Sequence, residues 1–120
     1  MYKFSESSKK RLSTCDDQLQ DVFNTAIEIV DCSILCGYRG YKEQTEAFNS
    51  NHSTVQFPHS KHNVNPSKGV DALPCPVDWN DILRIKNFAC IVKSIAKSKG
   101  IKIEWGGDWK NFKDYAHWQI

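Results

Sequence analysis

The sequence IKIEWGG at residues 101–107 and the sequence YAHWQI at residues 115–120 decide the fold class of this chain. In both stretches apolar and polar residues alternate, as they do in a half-buried strand. The glycine pair at residues 106–107 interrupts the alternation and marks a turn. Two short alternating strands close together in sequence predict a small, mainly antiparallel sheet.

Three stretches with helical periodicity precede these strands. Apolar residues recur at three- and four-residue steps over residues 16–30, and a shorter helix is expected over residues 41–48. A third helix is expected to begin at Trp79, with Asp78 as its N-cap, and to end at Gly100. These stretches supply apolar faces that can cover one side of the sheet.

Two short apolar stretches complete the expected elements. Residues 33–36 and residues 69–72 read as buried strands, the first of which runs into a glycine turn. With no internal repeat and no long linker, the 120 residues are expected to form a single domain over residues 1–120. The predicted fold is α+β, with about three helices packed on a small sheet.

Composition excludes several functions. Sixteen Lys and Arg and fourteen Asp and Glu leave a net charge of +2, and the two signs are interleaved, which argues against a nucleic-acid partner. No apolar run approaches the ~18 residues of a membrane span, and the first residues lack a secretory signal. Five cysteines at irregular spacings predict free thiols. We therefore expect a cytoplasmic protein that has no membrane partner.

A polar stretch at residues 49–68 is the first functional candidate. It contains Asn, Ser, His and Pro without an apolar period, and it exceeds the ~12–15 residues that loops in compact domains usually reach. His62 lies near its end, and Asp71 follows nine residues later in an expected strand. If the loop folds back, this imidazole and this carboxylate converge, and His117 could join them.

Two His and one Asp with an open fourth position are typical of catalytic zinc, which lowers the pKa of bound water to about 7. Asp114, three residues before His117, lies where a general base for amide hydrolysis is expected. The residues alone leave other interpretations open, because His117 could be a packing residue and Asp71 a turn residue. His52 and His59 are interpreted as loop surface.

Four motifs together resemble a known family. They are SKHN at residues 60–63, GVDALP at 69–74, EWGGDW at 104–109 and DYAHW at 114–118. Their order is similar to that of the zinc D-Ala-D-Ala carboxypeptidase/L-alanyl-D-glutamate peptidase family, and the chain resembles its single-domain phage endolysins. The resemblance implies a small hedgehog/D-Ala-D-Ala peptidase-like α+β domain that cleaves peptidoglycan stem peptides.

The same resemblance implies the metal site. It makes His62, Asp71 and His117 the ligands of one zinc ion per chain, and Asp114 the catalytic base. The chain departs from the family at Gln119, where relatives carry Glu. We therefore expect a hydrogen-bond partner of the metal site to be lost at this position.

Substrate contacts are also implied by the resemblance, at Arg39, Ser60 and Gln44. Arg39 would hold a substrate carboxylate or the developing oxyanion. The implied function is an L-alanyl-D-glutamate endopeptidase that accumulates in the host cytoplasm and acts on the cell wall during lysis. A monomer is expected by default. The alternatives are a D-Ala-D-Ala carboxypeptidase and a zinc-bound binding domain without hydrolytic activity.

Overall fold

A computed structural model describes residues 2–120 of the chain. The α-helices are α1 (Glu6–Leu12), α2 (Asp17–Ile29), α3 (Tyr41–Asn49) and α4 (Ile82–Ser98). The strands are β1 (Cys32–Cys36), β2 (Gly69–Pro74), β3 (Glu104–Trp105) and β4 (His117–Gln119). Two short 3₁₀ helices lie at Lys61–Asn63 and Gly106–Asp108. Among residues 2–120, no helix has both the length and the apolar character needed to cross a bilayer.

The four strands form one sheet in the order β1-β2-β4-β3, and every neighbouring pair is antiparallel. The α+β class and the antiparallel sheet are therefore confirmed. The structure has four α-helices where about three were predicted, because the N-terminal segment also forms one. Antiparallel pairing of β2 with β4 places Asp71 directly opposite His117.

Strand β2 separates the core from the opposite face of the sheet. Val70 and Ala72 are fully buried, whereas Asp71 between them points to the other side because strand side chains alternate. Helix α4 packs on β2 and on α2, and Phe23 of α2 meets the ring of Trp118 edge-on. Leu73 shares the face of Asp71 and is also buried in the core, so the polar part of this face begins at Asp71.

Helix α1 covers the edge of the sheet that is formed by β1. Strand β1 has a partner on one side only, and its outward backbone groups need hydrogen bonds from elsewhere. The Ser8 hydroxyl accepts a hydrogen bond from the Ile34 N–H at 3.0 Å, and Arg11 Nη1 donates to the Ile34 carbonyl at 3.2 Å. Both backbone groups of Ile34 are satisfied in this way.

The start of α4 differs from the prediction. The helix begins at Ile82, and its N-cap is Asp81, whose carboxylate accepts from the Arg84 N–H. Asp78, the expected cap, instead accepts from the Asn80 N–H at 2.9 Å in the preceding turn. Two acidic residues three positions apart both suit an N-cap, and the second occupies it.

The strand expected over residues 101–105 is shorter in the structure, because only Glu104–Trp105 pairs with β4. Gly100 has φ of +70°, and the Ile101 N–H donates to the Ala96 carbonyl at 2.9 Å. Ile101 therefore caps the C-terminal end of α4, and the chain enters the sheet only at Glu104.

We predict that Ser8→Ala destabilises the protein by about 1–3 kcal/mol, because the Ile34 N–H loses its partner in a buried place. Ser7 lies on the same helix and is exposed, so Ser7→Ala should change the free energy of unfolding by less than about 0.5 kcal/mol. Urea unfolding of both variants measures the difference. Equal free energies for the two would contradict the assigned role of Ser8.

Candidate active site

The side chains of His62, Asp71 and His117 meet on the face of the sheet opposite the core. Asp71 Oδ1 lies 3.1 Å from His62 Nε2 and 3.3 Å from His117 Nδ1. The two ring nitrogens are 3.1 Å apart. The structure thus brings together the three residues expected as metal ligands, although they are separated by up to 55 positions in the chain.

The other nitrogen of each ring fixes its orientation. His62 Nδ1 lies 2.8 Å from the carbonyl oxygen of Gly37, which can only accept, so Nδ1 carries the hydrogen. His117 Nε2 lies 2.8 Å from Gln119 Oε1, which is likewise an acceptor. The expected loss of a partner at Gln119 is therefore wrong, because its amide oxygen accepts the hydrogen bond.

The donor set fits a zinc ion. With both imidazoles neutral in the tautomers just described, two ring nitrogens and one carboxylate oxygen direct lone pairs at one another, so either a proton or a metal cation must lie between them. Such a cluster is stabilised by a cation between the three atoms. Tetrahedral zinc with bonds of ~2.0–2.1 Å needs ligand atoms about 3.3 Å apart, close to the observed separations of 3.1, 3.1 and 3.3 Å.

The electrostatics of the cluster agree with this requirement for positive charge. Burial opposes protonation of His62, but hydrogen bonds to Asp71 and Cys36 and the negative charges of these two groups outweigh it and raise the pKa of His62 to about 10. Burial would raise the pKa of Asp71, yet hydrogen bonds from His117 and His62 hold this pKa well below its ordinary value. The carboxylate is therefore ionised and available as a ligand.

A short 3₁₀ helix positions His62. The Ser60 hydroxyl accepts from the His62 N–H at 3.1 Å, and the Asn63 side chain accepts from the Ser60 N–H at 3.0 Å, which closes a capping box. His62 is only 2% exposed. Ser60 therefore orients the candidate ligand through the backbone, in addition to lining the pocket beside it.

Asp114 lies beside the cluster. Its carboxylate, that of Asp71 and a ring nitrogen of His117 are all within 4.8 Å of one another. The Asp114 N–H donates to the Gly106 carbonyl at 3.0 Å, and a Cβ at Gly106 would collide with the Asp114 carbonyl oxygen. Burial and the negative charge of Asp71 raise the pKa of Asp114.

A polar pocket opens over these residues. Its walls include Arg39, Trp109 and Phe112. The segment of residues 50–60, called the rim segment below, contributes His52 and His59, both of which are exposed as predicted. Sequence reasoning did not assign these two histidines to the site, since nothing in the loop composition indicates which side faces the cluster.

Gln44 is buried beneath the pocket and has no exposed surface. Its amide oxygen accepts from Arg39 Nε at 2.7 Å. Its amide nitrogen donates to Ser53 Oγ at 2.9 Å and to the Val55 carbonyl at 2.7 Å. One side chain therefore holds both Arg39 and the rim segment.

Comparison with known proteins gives consistent matches. The family model described as phage L-alanyl-D-glutamate peptidase matches residues 1–119. An L-alanyl-D-glutamate peptidase of Escherichia phage T5 is 27% identical over 119 residues, covering 95% of this chain and 86% of the relative. The peptidoglycan L-alanyl-D-glutamate endopeptidase CwlK of Bacillus subtilis is 29% identical over 104 residues, which are 76% of this chain and 61% of CwlK.

A solved structure shares the fold. The crystal structure of the Serratia marcescens L-Ala D-Glu endopeptidase ChiX superposes with a TM-score of 0.83 at 27% sequence identity. The match covers 99% of this chain and 90% of the ChiX chain. The arrangement of helices and strands is therefore that of ChiX throughout.

We predict that Gln44→Ala loosens the rim segment, because Arg39, Ser53 and Val55 lose a shared buried partner. The expected loss of stability is about 1–3 kcal/mol, with faster proteolytic cleavage within residues 50–60. Gln18→Ala, at an exposed position of α2, is the matched control. Urea unfolding and mapping of the cleavage sites check both effects, and unchanged cleavage would contradict the role of Gln44.

Proposed function

The chain belongs to the phage L-alanyl-D-glutamate peptidase family, and on that premise we propose that it is a zinc-dependent L-alanyl-D-glutamate endopeptidase. Its substrate is the stem peptide of bacterial peptidoglycan, and its biological role is that of a phage-type endolysin. The observation that supports this proposal most directly is the triangle of donor atoms from His62, Asp71 and His117, with Asp114 beside it. The names of the T5 and ChiX relatives support the choice of bond.

The proposed zinc ligands are His62 Nε2, Asp71 Oδ1 and His117 Nδ1. Zinc held by these atoms would supply Lewis acidity to a peptide carbonyl and would acidify a water molecule. The chain's own contribution is to fix both ring orientations through the Gly37 carbonyl and the Gln119 amide. Because both imidazoles are buried, they are held in place before any ligand arrives.

Asp114 is proposed as the general base. Its carboxylate takes a proton from the attacking water and returns it to the amine nitrogen of the departing D-Glu residue. Burial next to Asp71 raises the pKa of Asp114, which makes the carboxylate a better proton acceptor than an exposed aspartate. Gly106 keeps the Asp114 backbone close to the cluster, so the carboxylate has a defined position.

Arg39 is proposed to bind the substrate. Its Nε is held by Gln44, its terminal nitrogens have no hydrogen-bond partner among residues 2–120, and the residue lines the pocket. A fixed guanidinium there suits a carboxylate of the stem peptide or the oxyanion that forms during attack. Ser60 lines the same pocket and could contact the peptide, whereas for Gln44 we propose a positioning role in place of the substrate contact expected from sequence.

We propose that the protein acts as a monomer that accumulates in the host cytoplasm before lysis. All of the proposed ligands, the base and Arg39 come from one chain, so a second copy is not needed to complete the site. The relationship to a phage T5 peptidase supports action on the host cell wall.

Removal of a proposed ligand should remove the metal. We expect His62→Ala to lose the one zinc per chain that we propose for the wild type, because His62 is the central donor and the remaining ligands do not hold the ion tightly. His59→Ala is the matched control, since His59 lines the pocket without joining the cluster. Metal analysis of the dialysed proteins gives the answer, and full zinc in His62→Ala would show that the site is misassigned.

Removal of the proposed base should separate binding from turnover. Asp114→Asn should keep its zinc and lose activity by about 10²–10⁴-fold. Mass spectrometry of fragments from purified peptidoglycan identifies the bond. New amino-terminal D-Glu supports the endopeptidase, released D-Ala would indicate the carboxypeptidase, and no fragments from a zinc-loaded wild type would indicate a binding domain.

A further inference from the structure

A β-bulge directs a cysteine toward the proposed active site. Ile34 of β1 pairs with Ala72, but the next pairing joins Cys36, not Leu35, to Asp71. Residues directly opposite each other on antiparallel strands share a face of the sheet. Without the extra residue, Leu35 would lie opposite Asp71, so the bulge exchanges an apolar side chain for a thiol.

The thiol lies within reach of two of the proposed zinc ligands. Cys36 Sγ, a ring nitrogen of His62 and a carboxylate oxygen of Asp71 are all within 4.8 Å of one another. Cys36 is half-buried, and its thiol makes only a weak contact with the Gly37 carbonyl at 3.6 Å. Apart from its interaction with His62, the sulfur is therefore not committed to a strong contact.

From this geometry we propose that Cys36, His62 and Asp71 form a second cation site, selective for thiophilic divalent ions such as Cd²⁺. Thiolate is a soft ligand, and its presence shifts the preference of a site toward soft cations. On binding, the thiol transfers its proton to solvent and the sulfur coordinates as a thiolate. The mixed set of sulfur, nitrogen and oxygen donors distinguishes this site from the proposed zinc site.

The two sites cannot both be filled, because they share His62 and Asp71. This part of the inference rests on the proposed function, in which the same two residues hold zinc together with His117. A thiophilic cation bound through Cys36 therefore displaces zinc and inhibits the enzyme. The inhibition is competitive with zinc and independent of the substrate.

The test is cadmium titration of the metal-free protein, followed by sulfur-to-cadmium charge-transfer absorption in the ultraviolet. The wild type should develop this absorption and reach a plateau at one equivalent. Cys36→Ser should lose it, whereas Cys90→Ser, which alters an exposed thiol far from the site in sequence, should retain it. Absorption that persists in Cys36→Ser, or none in the wild type, would overturn the proposal.

A second measurement does not depend on the variant folding. Cadmium NMR of the wild type should give one resonance shifted downfield from the range of sites with only nitrogen and oxygen ligands. A resonance within that range would overturn the proposal. Titration of zinc-loaded wild type should release one zinc for each cadmium bound, and retention of both ions would refute mutual exclusion.

His117→Ala separates this inference from the proposed function. His117 belongs to the zinc site but not to the cadmium site, so His117→Ala should still develop the charge-transfer absorption, whereas the double variant His117→Ala/Cys36→Ser should lose zinc. Loss of the absorption would mean that Cys36 is only an extra ligand of one shared centre, which contradicts the proposal. Retention of zinc by the double variant would refute the zinc assignment, while the absorption in His117→Ala would still decide the role of Cys36.

Discussion

The carboxylate of Asp71 lies between two buried imidazoles, and the rest of the polar face is arranged around that contact. Each of the three groups comes from a different element: a 3₁₀ helix, strand β2 and strand β4. The pairing of Asp71 with His117 is a direct result of the β2–β4 register. A shift of one residue in that register would turn Asp71 toward the core, where its charge would be unpaired.

Around this cluster, hydrogen bonds to neutral groups do most of the positioning. The Gly37 carbonyl and the Gln119 amide hold the two rings, and Gln44 connects Arg39 to the rim segment. Such bonds fix orientation without adding charge to a site that already contains two carboxylates and a guanidinium. Neutral groups therefore fix the geometry of the site, and its charges come from Asp71, Asp114 and Arg39.

Sequence alone could predict the elements whose pattern is local. The periodicity of α2 and the alternation in β4 follow from burial on one face, and both elements are present. Residues 101–103 also alternate, yet they lie outside the sheet because Ile101 completes the end of α4. A repeating pattern indicates which side chains are buried but not which backbone groups find a strand partner.

The site was less accessible to local reasoning. The meeting of His62 and His117 depends on contacts across 55 positions; the residues alone offered it as one interpretation among others, and the family resemblance selected it. Gln44 looked like a polar residue on a short helix, and its burial became visible only with the rim segment folded over it. Gln119 was expected to lack the hydrogen-bond acceptor that Glu provides in relatives. Its amide oxygen nevertheless accepts a hydrogen bond as a carboxylate does.

The backbone of Gly37 also has a consequence for the coupling of metal binding to folding. A side chain there would collide with the Arg11 carbonyl and the Thr14 hydroxyl, so α1 must pack closely against the residue that holds His62. The contacts of His62 span 25 positions to Gly37 and 55 to His117. Because these ligands meet only in the folded chain, the free energy of binding a metal ion at this place would add to the free energy of folding.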